Sequence, residues 1–268
     1  WTEHVRLKGR VIVFKNEKSF RDRGSGLNII SEFMSIKILC KKFFITLLFL
    51  SICKAALSEN ISEDTIISSD SGTQQVFTAN DISLTISSNA TLSKNKKPVV
   101  ADDRSGVTVT INEGSELFTT SGDNAIVGKS STNLTVNNSG KIYSAAAKAV
   151  SFRQGSGATL SNNSGAIIYS ATNTISGNHN DTENATITNS GTIYSTDAST
   201  NTIIFAVGST GNSIVNNTGG EIYTEGTGAT IKLGASSTLT NSGTIKTGSV
   251  SSRAINAAGS NNTITLKD

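Results

Sequence analysis

Asn189-Ser-Gly191-Thr-Ile-Tyr194-Ser195 has close copies along the chain at Asn138-Ser-Gly140-Lys-Ile-Tyr143-Ser144 and Asn163-Ser-Gly165-Ala-Ile-Ile-Tyr169-Ser170. Two more stand at Asn217-Thr-Gly219-Gly-Glu-Ile-Tyr223-Thr224 and Asn241-Ser-Gly243-Thr-Ile-Lys246-Thr247. Their glycines fall 25, 26, 28 and 24 residues apart. Fainter copies hold the register upstream, at Asn112-Glu-Gly114 with Leu117, at Asn89 with Leu92, and near Asp64-Thr-Ile-Ile67. About eight units therefore fill the stretch to Asp268, opening near residues 64, 89, 114, 140, 165, 191, 219 and 243. A fixed period of this size marks a solenoid or propeller, in which each unit buries its apolar face only against its neighbours.

Within a unit the apolar runs are short. Around Gly191 they are Ala185–Ile187, Thr192–Tyr194 and Ile203–Val207; around Gly219 they are Glu221–Tyr223, Ala229–Leu233 and Ser237–Leu239. β-branched residues alternate with Ser, Thr and Asn between Gly and Asn punctuation, which is strand patterning. No window sustains the i, i+3, i+4 spacing of a helix. A propeller blade needs four strands over 40 or more residues, so three strands per ~25 residues predicts a right-handed parallel β-helix of about eight coils.

Alternation then assigns the faces. Ile142, Ile193, Ile222 and Ile245 are expected to stack inside one sheet and Val136, Ile187 and Leu239 inside another. Tyr143, Tyr169, Tyr194 and Tyr223 are expected to point outward as an aromatic ladder, whose rings in the preferred reading stack on each other and cover the rod and in the sharper one stack on a sugar or a partner chain. Asn138, Asn163, Asn189, Asn217 and Asn241 are expected to stack at a corner and bond along the rod, with Asn and Gly taking its left-handed backbone.

Charge is unevenly placed. Residues 1–58 carry 11 Lys/Arg against 4 Asp/Glu, and residues 59–268 carry 12 against 16, so the basic balance belongs to the leader alone. That argues against a basic nucleic-acid binder. Cys40 and Cys53 also lie in the leader, which leaves the repeats without a disulfide framework or a cysteine-ligated metal. Met34–Lys42 is basic, Phe43–Ile52 is apolar and Ala56-Leu-Ser58 offers small residues for cleavage, the three parts of a secretory signal at 34–58. The apolar stretch is too short to span a bilayer, so no stable membrane span is expected after cleavage. Residues 1–33 precede this signal and are expected to be an upstream extension from a start assigned too early, leaving 59–268 as the β-helix.

A signal peptide followed by loosely repeated N-S-G-x-I-Y-S units resembles the β-helical passenger domain of Gram-negative autotransporters over roughly residues 34–268. The resemblance implies export through the inner membrane to the periplasm, the cell surface or the medium. It also implies dealings with the export machinery and a structural or adhesive role toward host surface glycans or proteins, without catalysis or cofactor. The family's C-terminal barrel has no counterpart here, and a truncated or split passenger is expected.

Gly122–Ser130 resembles a phosphate-binding loop but has one residue too many between its glycines, and Ala125–Val127 within it reads as a coil strand. His179 sits in a loop insert at Gly177–Glu183. Asp102-Asp-Arg104 with Glu113 and Glu116 is the one charged cluster in the repeats and reads as solvated. Two alternatives to the adhesive reading are a secreted carbohydrate-active β-helix enzyme and a non-functional remnant of a split gene.

Overall fold

A computed structural model describes the backbone of residues 2–7 and 10–15 and the structure of residues 58–267 apart from residue 198. The chain divides into two units, Trp1–Cys53 and Lys54–Asp268. In the first, Thr2–Leu7 and Arg10–Lys15 pair as an antiparallel hairpin, with Thr2 opposite Lys15. The expected secretory signal lies outside the described residues except for Ser58, which opens the first strand of the second unit.

The second unit is a parallel β-solenoid of about eight turns, with short strands stacked in three sheets and no helix among the described residues. Each coil visits the sheets in one order. Ile175–Gly177 belongs to a nine-stranded sheet, Thr186–Asn189 to a second nine-stranded sheet, and Thr192–Ser195 to a seven-stranded sheet before Ile203–Phe205 returns to the first. They are called here the first sheet, the asparagine sheet and the tyrosine sheet. Every pairing in the solenoid is parallel and joins a residue to its equivalent one coil away, as Ile193 to Ile168 and Ile222.

In the asparagine and tyrosine sheets most strands alternate half-buried and buried positions, which makes one face core and the other surface. Ile142, Ile168, Ile193 and Ile222 stack fully buried inside the tyrosine sheet, and Val136, Leu160, Ile187 and Ile214 inside the asparagine sheet. The expected face assignment holds, with Ile245 only partly covered. The first sheet differs. Ile203–Phe205 is buried at all three positions, so its continuous apolar run reads as a strand covered on both sides.

The corner between the asparagine and tyrosine sheets has two lengths, and from Ile111 onward they alternate. Asn138 to Lys141, Asn189 to Thr192 and Asn241 to Thr244 are short; Ile111 to Glu116, Asn162 to Ile167 and Asn216 to Glu221 hold two more residues. Glycine serves a different purpose in each. Gly165 and Gly219 sit at φ 79° and 81°, where an L side chain is strained. Gly191 is instead in close approach, since a Cβ there would collide with the carbonyl oxygens of Ala166 and Asn163 in the long corner beneath.

The opposite corner of the asparagine sheet alternates in step. Asn133, Gly157, Asn184 and Gly211 all have positive φ, and a Cβ on Gly157 or Gly211 would collide with the side-chain oxygen of Asn133 or Asn184 one coil away. One coil's asparagine thus fills the space left by the next coil's missing side chain. Over this stretch the packing repeats every two coils, twice the period seen in the sequence.

Candidate functional site

The tyrosine sheet presents the expected ladder. Tyr143, Tyr169, Tyr194 and Tyr223 occupy the outward position between the inward Ile and the inward Ser or Thr of each strand, and parallel register stacks them in line. Phe118 extends the line at one end. Ring centroids lie 4.5 Å apart from Phe118 to Tyr143, then 4.9, 5.0 and 4.8 Å apart, with planes within 8° of parallel. These separations are the strand spacing itself, about 4.8 Å, imposed on the side chains.

Each internal ring has both faces against a neighbouring ring, so those faces are not open for a sugar to stack on. What the ladder offers outward is a row of ring edges and phenol hydroxyls, none of which bonds to another described residue. Lys246 takes the ladder position after Tyr223 and holds its ammonium 4.7 Å from that ring's centroid, and it pairs with Glu221. Lys141 lies 4.7 Å from the Tyr143 ring centroid and 3.3 Å from Glu116. Lys246 thus closes one end of the ladder, while Lys141 sits alongside it, also 5.6 Å from the Tyr169 centroid.

Burial pushes the Tyr143 phenol up to about 12, with Glu116 and Tyr169 adding to it. Desolvation does the same to Tyr194, also to about 12, with Tyr223, Tyr169 and Glu225 contributing. Tyr223 is raised for the same first reason and then by Glu225 and Glu221, against which Lys246 acts. These three phenols are therefore neutral donors and acceptors across the physiological range.

The asparagine ladder exists, but in another register. Asn138, Asn162, Asn189, Asn216 and Asn241 form it, each Nδ2 donating to the next Oδ1 at 2.8 Å. Asn163 and Asn217, expected in the ladder, lie one residue outside it and donate instead to Ser139 and Ser190. The reason is strand parity: Leu160 and Ile214 face inward, so the inward residues two further on are Asn162 and Asn216. Counting in twos from those apolar residues finds the missed pair in the sequence. From Asn138 to Asn216 the ladder is buried, and its second amide hydrogens reach backbone carbonyls, as Asn189 does with Gly191 at 3.1 Å and Glu221 at 3.2 Å. It is a structural spine, out of reach of any ligand.

The remaining candidates fall on separate features. His179 sits 3.4 Å from Asp181 within one turn, and its Nδ1 accepts from the Asp181 amide at 3.3 Å. Asp102 accepts from the Lys129 amide while Glu116 pairs with Lys141, so the charged cluster is divided between two parts of the coil. Ile126–Val127, inside the phosphate-loop look-alike, is a strand of the first sheet. Among the described residues no group of three His, Cys, Asp or Glu is placed to hold a metal ion, and no helix is long and apolar enough to cross a membrane.

Fold and site together define a parallel β-solenoid with an outward aromatic ladder. No family model, curated protein or solved structure matches the chain.

Proposed function

We propose that this chain is an exported, non-catalytic rod with a structural or adhesive role, of the kind autotransporters carry as passengers. The observation that carries the reading is the tyrosine ladder. A row of unpaired phenol hydroxyls at fixed spacing, backed by a continuous apolar core, is a rigid surface for hydrogen bonding along the rod. Repetition suits such a surface to extended partners, surface glycans or proteins, because each coil adds an equal contact and avidity rises with coil number. The basic and apolar stretch at 34–58 supports export.

The test has two parts. Fractionating a bacterium that expresses the full chain should place it outside the inner membrane, with residues before Ser58 removed. Purified protein should bind host cells or immobilised surface glycans, and Y169S/Y194S should weaken that binding with an unchanged far-UV CD spectrum. A cytosolic protein would refute the export step, and equal binding by the variant would remove the ladder from the site.

A further inference from the structure

The outward face of the asparagine sheet carries a second regular surface. From Ser83 to Thr263 every residue in its first outward column is Ser or Thr, one per coil. From Thr85 to Thr265 the second column is Thr or Ser except at Asn137 and Val215. No residue in either column between these limits is charged. The tyrosine sheet, by contrast, puts Glu116, Lys141, Glu221 and Lys246 on its outward columns. Strand formation does not require this choice, since Val, Ile and Tyr serve a strand as well as Thr does.

The two columns make a lattice. Its repeats are about 4.8 Å between coils and about 6.7 Å between columns, set by strand spacing and by two residues of strand rise. The register runs through these strands unbroken. The same strands carry the buried asparagine ladder on their inner face, so a slip would break a chain of 2.8 Å amide bonds. Within the array protein partners engage Ser83, through Asp64, and Thr238 with Ser213 at 3.1 Å. The other array hydroxyls bond to no described residue and are left to solvent.

We propose that this face binds ice. A neutral grid of hydroxyls, most of them on Thr and so beside a methyl, has these two repeats close to the oxygen repeats of an ice prism plane. The hydroxyls can take lattice positions while the methyls between them hold ordered water, and charges that would orient water radially are missing. A flexible soluble polymer would gain nothing from a fixed two-dimensional repeat, whereas a crystal surface gains from every coil. The inference is independent of what the tyrosine ladder binds, because the two surfaces lie on different sheets.

The test is uptake of the fluorescently labelled full chain into a slowly growing ice hemisphere, with crystal shaping and recrystallisation watched by microscopy. The chain should enter the ice and shape it. T135Y/T186Y, which raises bulky rings from the grid, should lose both effects while its far-UV CD stays unchanged, and Y169S/Y194S should keep them. Should the tyrosines disturb folding, T110K/T188K must give the same loss by adding charge. Exclusion of the wild-type chain from ice, or equal uptake by the grid variants, would overturn the proposal. So would retention on microcrystalline cellulose or chitin without any effect on ice, which would assign the grid to a crystalline glycan.

Discussion

Asn163 and Asn189 open identical Asn-Ser-Gly triplets, and the structure predicts that truncating them has very different consequences. Asn189 is fully buried. Its Oδ1 accepts from Asn162 at 2.8 Å, and its Nδ2 donates to Asn216 at 2.8 Å and to the carbonyls of Gly191 and Glu221. In N189A the Asn216 Oδ1 loses its donor in a buried site, at about 1–3 kcal/mol, and the Asn162 amide keeps only carbonyl partners at 3.2–3.3 Å. With the small cavity left by the amide, a loss of roughly 3–4 kcal/mol follows. Asn163 is exposed and donates one bond to Ser139 at 2.8 Å, so N163A falls in the range of an ordinary surface change, about 0.5 kcal/mol or less. Equilibrium unfolding in guanidinium followed by far-UV CD measures both. Hydrogen exchange should show the N189A loss centred on its own and adjacent coils, since solenoid stability is a sum of nearest-neighbour terms. Equal midpoints for the two variants, or a larger fall for N163A, would refute the parity argument that puts one residue in the spine and its twin outside.

Two further outcomes follow from the coil geometry. The raised phenols of Tyr143 and Tyr194 are neutral in both folded and unfolded chains below pH 10, so they leave stability unaffected there; between about pH 10 and 12 only the unfolded chain ionises and stability falls. In the native protein the phenolate signals of Tyr143 and Tyr194, isolated by difference against Y143F and Y194F, should rise late, near the unfolding transition, and titration of these two near pH 10 would contradict their burial in the ladder. Deleting residues 139–189 removes two coils, joins one short corner to the next and preserves the alternation, so a cooperative thermal transition should survive. Deleting 139–162 removes one coil and sets the Asn133 and Asn184 corners side by side, so its melting temperature should drop well below that of the larger deletion.

The asparagine register shows how far local pattern reaches. Both candidate ladders are visible in the sequence because every coil repeats the same motif, and the tyrosine assignment follows from a single alternation about Ile142 or Ile193. The asparagine assignment needs strand parity carried across a corner whose length changes from coil to coil. Aligning coils on the Asn-Ser-Gly triplet matches Asn163 with Asn189, whereas aligning them on the buried Leu160 and Ile187 matches Asn162 with Asn189. The second alignment is the physical one, because burial of the apolar column decides the register and the corner absorbs the extra residues.

The sequence by itself determined the period and the coil count, which follow from the recurrence of one motif, and the strand type and the inward and outward sides of the two alternating sheets, which depend on residues within one coil. Only the tertiary structure decided what neighbouring coils do to one another. It showed that the tyrosine faces cover each other, that the spine runs through Asn162 and Asn216, and that Gly165 is needed for its backbone angle while Gly191 is needed for its missing side chain. It also aligned the Ser and Thr columns into a grid. These features arise from contacts at 4.5–5.0 Å between residues some 25 apart in the chain, where an alternation of two corner lengths decides which groups meet.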